Sequence, residues 1–262
     1  MSVRAVSIAG DNLPITDGSI QITRNPLVEA AMTGRGGEKV YKGLYNTISG
    51  SFGGAYRPYK FATYLNDMMK VTPPTYNNFV VVDDFGNALT VATVALTGAE
   101  LSVKAGDYAR INFSWVGNGP NPIAAGSAAS GDYSGSIPVF SNSYIKISTA
   151  EHKANAFTLK VDRPYSADDF VMATDIFISQ SLYQSGDTNV NGTITLTQDV
   201  KLWTGIMTDA DVGTTFEFHF GTACVYATNA VLTGINESIS GRGLIQKTYN
   251  WSCPSNQLSF GV

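Results

Sequence analysis

Residues 85–115 read FGNALTVATVALTGAELSVKAGDYARINFSW, and residues 220–251 read FGTACVYATNAVLTGINESISGRGLIQKTYNW. With Val231 taken as one inserted residue, the second stretch repeats the first. Phe85/Phe220, Gly86/Gly221, Ala88/Ala223, Ala92/Ala227, Thr93/Thr228 and Ala95/Ala230 coincide, as do Leu96/Leu232, Thr97/Thr233, Gly98/Gly234, Ser102/Ser238 and Trp115/Trp251. Phe113/Tyr249 and Val103/Ile239 match in character. Two strand-rich stretches can share alternation and turn residues by accident. An ordered run of identities closed by aromatic-x-Trp is better explained by an internal repeat, and a repeat decides the fold before any local feature does. The expectation is a duplicated β domain.

The bulk properties agree. A chain of 262 residues divides into two domains of ordinary size, each of roughly 100–150 residues. The boundaries read as a first domain over 1–118, a Gly/Ala/Ser-rich linker over 119–136 and a second domain over 137–262. Charged residues make up 15% of the chain and the formal net charge is −4. That balance argues against a surface built to hold phosphates with Lys and Arg. The two cysteines, Cys224 and Cys253, form no disulfide framework. Cys224 falls where the first copy has Leu89, so it reads as a small core residue in a protein assembled under reducing conditions. No basic-then-apolar leader opens the chain and no apolar run reaches membrane-spanning length. The Asn-x-Ser/Thr triplets at Asn112, Asn191 and Asn236 therefore carry little weight.

Taken in order, residues 3–8 and 19–23 read as strands, and Asn25-Pro26 ends the second. Residues 27–46 have no hydrophobic period at their centre, Thr33-Gly34-Arg35-Gly36-Gly37-Glu38-Lys39, and read as the tip of a long hairpin. Thr47 to Tyr56 is a glycine-rich strand. A short helix follows Arg57-Pro58, with Phe61, Tyr64, Leu65 and Met68 at i, i+3, i+4 and i+7 as its core stripe. Pro73-Pro74 lies in the break after it. In the second half, residues 143–149 and 156–161 read as strands, 162–169 as a polar loop, and 175–183 and 193–197 as further strands. Asn191-Gly192-Thr193 fills the role of Ser49-Gly50-Ser51. Residues 198–211, QDVKLWTGIMTDAD, correspond loosely to the helix.

Nothing in the sequence assembles a catalytic set, a cofactor site or a metal site. His152 and His219 lack partners at ligand spacing. Asp83-Asp84 and Asp168-Asp169 are adjacent, so on a strand each pair would point to opposite faces. Gly34 to Lys39 lacks the spacing of a phosphate-binding loop and the Ser/Thr that holds magnesium. Asp187-Thr188-Asn189-Val190-Asn191-Gly192 matches the front of a calcium loop, but position twelve is Gln198 where a bidentate Glu is required. A hairpin turn uses the same residues.

The order of elements in each half is early strands, a long glycine-rich hairpin, a Gly-Ser/Thr strand running into a short helix, and a closing β unit. It resembles the tail tube proteins of tailed bacteriophages and related viruses. The residues that carry the resemblance are ITRNPLVEAAMTGRGGEKVYKGLYNTISGSFGGAYRPYKFATYLNDMM, residues 22–69, and LTGINESISGRGLIQKTYNW, residues 232–251. The resemblance implies a mainly β fold: two tandem β-sandwich or barrel domains, each with a short flanking helix. It implies a structural, non-enzymatic virion protein, located in the tail and assembled in the host cytoplasm. The chain would associate with itself as a trimeric ring of pseudo-sixfold symmetry, and rings would stack into a tube and meet other tail proteins. Genomic DNA would pass through without specific binding, and no membrane is involved. The contact between rings or subunits would fall on Gly34, Arg35, Gly36, Gly37, Glu38 and Lys39. The alternative is a β-sandwich binding module, such as a tail-tip, capsid-decoration or carbohydrate-binding protein. Such a module would carry an exposed aromatic platform.

Overall fold

The duplicated pattern of hydrogen bonding is visible strand by strand. The computed structural model describes residues 3–31, 38–118, 123–125, 131–138, 143–147, 150–173, 176–197, 214–221, 223–239 and 245–261. The first half contains β1 (Val3–Ile8), β2 (Asp11–Leu13), β3 (Asp17–Ala31), β4 (Glu38–Ala55), α1 (Pro58–Met68), β5 (Tyr76–Asp83), β6 (Asn87–Lys104), β7 (Arg110–Asn118) and β8 (Ile123–Ala125). The second contains β9 (Tyr144–Ile147), β10 (Ala150–His152), β11 (Ala154–Asp162), β12 (Tyr165–Ala173), β13 (Ile176–Gln184), β14 (Asn189–Thr197), β15 (Thr214–Phe220), β16 (Ala223–Ile239), β17 (Ile245–Cys253) and β18 (Leu258–Gly261). The protein is mainly β, as the sequence implies, with a large antiparallel sheet.

Each half lays one layer on another. In the first half β2-β1-β5-β6-β8 form the outer layer, and β10-β9-β15-β16-β18 are its counterpart. The long strands β6 and β16 leave their outer layers and continue into the inner one. The inner layer runs β3-β4-β7-β6, then crosses directly to β11-β14-β17-β16. The crossing is the antiparallel β6–β11 pair, in register from Ala156↔Lys104 to Asp162↔Gly98. Two four-stranded units of the same order thus share one sheet.

The core lies between the layers and is one apolar cluster drawn from both halves. Phe52 stacks on Phe113 at 5.3 Å between ring centroids, and Phe79 of the outer layer meets Trp115 at 4.7 Å. Phe218 meets Trp251 at 5.2 Å and Phe157 at 4.8 Å. Tyr56 and Phe220, 5.8 Å apart, join the two sets across the middle. Such pairs add about 0.5–1.5 kcal/mol each beyond area burial. Helix α1 buries the stripe Phe61, Tyr64, Leu65 and Met68, as its spacing predicts, and begins with Pro58 at a position where the missing N–H is harmless.

The described part of the stretch expected to be a linker is anchored to the first half. Strand β8 pairs with the start of β6. Buried Arg57 donates to the carbonyls of Ser134 (3.2 Å) and Gly135 (2.5 Å), the Tyr59 hydroxyl donates to the Ser134 carbonyl, and Lys60 bridges Asp11 and Asp132.

Three sequence expectations change. Pro26 does not end its strand: β3 continues to Ala31, with a register shift between Pro26 and Val28. Proline donates no ladder bond, and an irregular position on an edge strand tolerates that. The polar loop over 162–169 is reduced to Arg163-Pro164, after which β12 begins at Tyr165. The third change concerns the repeat itself. From Leu96/Leu232 onward the matched residues hold matching places: Leu96 faces Trp115 and Leu232 faces Trp251, and both ladders then skip one residue, Thr97 or Thr233. Upstream the match is out of step. Phe79 and Phe218, the rings that pack on the two tryptophans, face Val91 and Val225, so Val91 corresponds to Val225 and the second copy has two extra residues there. Ala88 accordingly lies in a small cluster with Ala5 and Val82, whereas Ala223 lies in the main core. Cys224, which the sequence aligned with Leu89, is buried, as read there, although Leu89 corresponds to Ala223; it lies beside His219, 3.6 Å from Sγ to Nε2. Phe85 tips a turn and is 91% exposed, whereas Phe220 ends β15 and is buried. A one-residue slip in a strand moves every side chain to the other face.

Candidate assembly interface

Because the inner layer is made of two like units, the joint between them indicates what the outer edges can do. At one edge is β3, which among the described strands pairs only with β4. At the other is the 231–239 part of β16, which among them pairs only with β17. These two edges are the counterparts of β11 and β6, which do pair. Leu159 faces Gly192 in β11–β14 as Ile20 faces Gly50 in β3–β4. Gly98 faces Ser114 in β6–β7 as Gly234 faces Asn250 in β16–β17. Carrying the β6–β11 register over sets Gln21 opposite Asn236 and Ile22 opposite Ile235, as Lys160 stands opposite Glu100 and Val161 opposite Ala99. Unpaired sheet edges are templates for pairing with another chain.

The reason these strands form so regular a sheet is local. Gly50 and Gly192 let the Trp115 and Trp251 indoles lie across the sheet, each Trp directly opposite its glycine. Paired hydroxyls repeat beside them: Ser19 and Ser51 share a hydrogen bond of 2.9 Å, and Thr158 and Thr193 one of 2.8 Å. Gly192 is thus a buried position within strand β14, with Trp251 over it, and not the hinge of a calcium loop.

The face of the inner layer turned away from the core carries hydroxyls and amides. The ladder row Asn112, Glu100, Lys160, Asn191, Ser252 crosses it, as does the row Ser19, Ser51, Ser114. Where side chains are described, this face carries Asp17, Glu100 and Asp162 alongside Lys104, Arg110 and Lys160.

The joint inside the chain is reinforced by side chains. Arg163, 3% exposed, donates from its guanidinium to the carbonyls of Met68 (2.6 Å), Lys70 (2.7 Å) and Val71 (3.2 Å) at the end of α1. It also reaches the Gln184 side-chain oxygen at 2.7 Å. The last carbonyls of a helix have no partner within it and attract cations. Burial lowers the guanidinium pKa, and Tyr165 acts in the opposite sense. Asn66 of α1 meanwhile donates to the Phe260 carbonyl (3.3 Å) and accepts from the Phe260 N–H (3.1 Å), holding the C-terminal strand.

Of the residues the sequence singled out for contact, Gly34, Arg35, Gly36 and Gly37 lie outside the described residues. Glu38 and Lys39 open β4, opposite Ala31 and Ala30. The expected second helix, 198–211, also lies outside them. Strand β13 runs beside β4 in parallel, with Ile176 opposite Leu44 and Phe177 opposite Tyr45. In the sequence Arg163 falls within the stretch 162–169 that reads as a polar loop. The signal was present in the likeness of Ile22-Thr23-Arg24 to Val161-Asp162-Arg163. His219 stacks on Tyr144 at 4.4 Å and bonds Glu217 at 3.0 Å. Among the described residues no group of three or more His, Cys, Asp or Glu is placed to hold a metal ion, and no helix is long and apolar enough to cross a membrane.

No protein-family model matches the chain, and no curated protein matches it.

Proposed function

We propose that the chain is a structural virion protein, the tail tube protein of a tailed bacteriophage or related virus, built of two tandem tube domains over 1–118 and 137–262. The observation that carries this reading is the β6–β11 joint together with the two outer edges that repeat its halves. The step that leads from the first unit to the second inside the chain leads equally from β16 of one copy to β3 of the next. Three copies, six units, then close as a ring around a lumen. Stacked rings form the conduit, with the Gly34–Lys39 tip reaching a neighbouring ring. The protein acts by shape and self-association and not as an enzyme.

The open face suits a conduit. Sequence-independent affinity for a duplex comes from an excess of Lys and Arg that displaces counterions. Where its side chains are described, the face mixes both signs of charge among hydroxyls and offers no such excess, so DNA slides past it. The binding-module reading is less well supported: among the described residues the exposed rings of Phe85, Tyr183 and Tyr226 lie on three separate elements, and the neighbouring Tyr59 and Tyr133 are tied down, their hydroxyls donating to the Ser134 and Ile15 carbonyls.

The test is a cross-link. In a Gln21→Cys/Asn236→Cys variant, mild oxidation should join copies into covalent trimers, and negative-stain microscopy of the wild-type protein should show rings or tubes. Monomers that resist cross-linking and show no annular particles would refute the proposal.

A further inference from the structure

The joint inside the chain is sealed on its core side by one row of apolar side chains. Phe113 of β7 faces Ala99 of β6, Ala99 faces Val161 of β11, and Val161 faces Val190 of β14. All four are buried, none more than 5% exposed. The same row occurs a second time, cut in two. Tyr249 of β17 faces Ile235 of β16 at one outer edge, and Ile48 of β4 faces Ile22 of β3 at the other. Tyr249 and Ile48 are as buried as their counterparts Phe113 and Val190. Ile235 and Ile22 are only partly buried, although both pack against the main core. Each half-row thus ends on an isoleucine whose strand, at that position, pairs on one side only among the described strands.

Resting on the tube reading and extending it, we propose that Ile22 and Ile235 are the apolar anchors of the joint between copies. The partner is a second copy of this chain. In the register carried over from β6–β11, Ile22 of one copy stands opposite Ile235 of the next. The two half-rows then close into Tyr249, Ile235, Ile22 and Ile48, and the apolar core runs on from copy to copy as it runs from the first half to the second. The driving force is the removal of both side chains from water. The choice of residues follows from what each joint must do. Val161 and the small Ala99 suffice where the polypeptide and Arg163 already hold the two halves together. Separate copies must also offset the translational and rotational freedom lost on association, and two isoleucines remove more apolar surface from water than Val and Ala do. The pair fixes register as well as affinity, because a slip of one residue would carry an isoleucine to the solvent face.

The experiment is a double-mutant cycle on Ile22→Thr and Ile235→Thr. Threonine keeps the β-branched shape that suits a strand and exchanges apolar surface for a hydroxyl. Assembly is followed by sedimentation and microscopy across a concentration series, and thermal unfolding is measured on subunits diluted below the assembly threshold. Each single variant should need about tenfold or more higher concentration to assemble. The double variant should raise the threshold by less than the product of the two single rises, since side chains in contact are not additive. In the dilute subunit the two positions lie on opposite edges, so their effects on the unfolding temperature should simply add. Should a threonine variant fail to fold, Ile22→Val and Ile235→Val read the same cycle in steps of about fourfold, one methylene each. Assembly of I22T or I235T at the wild-type threshold would overturn the inference while leaving the tube reading standing. Independent, multiplying effects on the threshold would also overturn it, since each isoleucine would then act only within its own copy. Failure of the wild-type protein to form rings at any concentration would remove the tube reading and this inference with it.

Discussion

Gly192 of β14 stands directly opposite Trp251 of β17, and the Trp251 indole closes over it, as Trp115 closes over Gly50. A methyl group at Gly192 would fall on the Thr158 carbonyl and come within 2.8 Å of Trp251 Nε1; at Gly50 it would fall on the Ser19 carbonyl and within 2.7 Å of Trp115 Cζ2. Backbone cannot yield there without parting the strands. Gly192→Ala and Gly50→Ala should each destabilise the protein by about 2–3 kcal/mol through overpacking, a fall of roughly 5–10 °C in Tm. Gly106, with φ +84 and nothing near its Cα substituent, is the control: G106A meets backbone strain alone, about 1 kcal/mol. Differential scanning calorimetry of the three variants checks the order. Equal Tm values for G192A and G106A would show that the close approach of Trp251 is not a constraint.

The β5–β6 turn should loosen in acid. The Asp83 carboxylate accepts from the Asn87 side chain (2.9 Å), the Asn87 N–H (2.8 Å) and the Phe85 N–H (2.9 Å). The Asn87 side-chain bond leads the interactions that hold its pKa below the ordinary carboxylate value. A depressed folded-state pKa means that the turn is stabilised above the unfolded-state value, about 3.9, and that this contribution fades as pH falls through the folded value. Hydrogen exchange at the Phe85 and Asn87 amides, corrected for intrinsic rates, should therefore lose protection below about pH 4. In Asp83→Asn the protection should be lower throughout and flat with pH. A wild-type profile that is equally flat would remove the carboxylate from the account.

The thiol of Cys253 should be nearly inert in the folded protein. Burial pushes its pKa up to about 12, and the reactive species is the thiolate. At pH 8 the thiolate fraction of such a group is about a thousandfold below that of an ordinary cysteine of pKa about 8.5. Cys224 is shifted in the same direction, chiefly by burial. Iodoacetamide labelling followed by mass spectrometry should leave Cys253 unmodified under native conditions and label it fully in denaturant. Fast native labelling of Cys253 would mean that β17 opens on the timescale of the reaction.

How much of this was legible in the sequence depended on what each residue can do on either face of a strand. The equivalence of Trp115 with Trp251 and of Gly50 with Gly192 was readable from the repeat, but that each glycine lies beneath its indole shows only in the ladders. The helix stripe of Phe61, Tyr64, Leu65 and Met68 was readable because no strand has that period. The stretch from Ala88 to Ala95 was misaligned by one residue because Ala and Thr suit both the core face and the solvent face. Only the partners across the ladder, Phe79 with Val91 and Phe218 with Val225, reveal which is which. Arg163 was hidden for a different reason. Its partners are backbone carbonyls at Met68, Lys70 and Val71, and carbonyls leave no trace in a sequence.

In the proposed ring, the β6–β11 joint changes the arithmetic of closure. A ring of six units built from separate chains requires five encounters in solution, each dependent on protein concentration, before the sixth joint closes within the particle. Where every second joint lies within one polypeptide, the effective concentration at that joint is set by the chain and not by dilution. Only two encounters then remain bimolecular. A ring of paired units therefore forms from more dilute protein than a ring of single ones, and its assembly rises less steeply with the amount of subunit supplied.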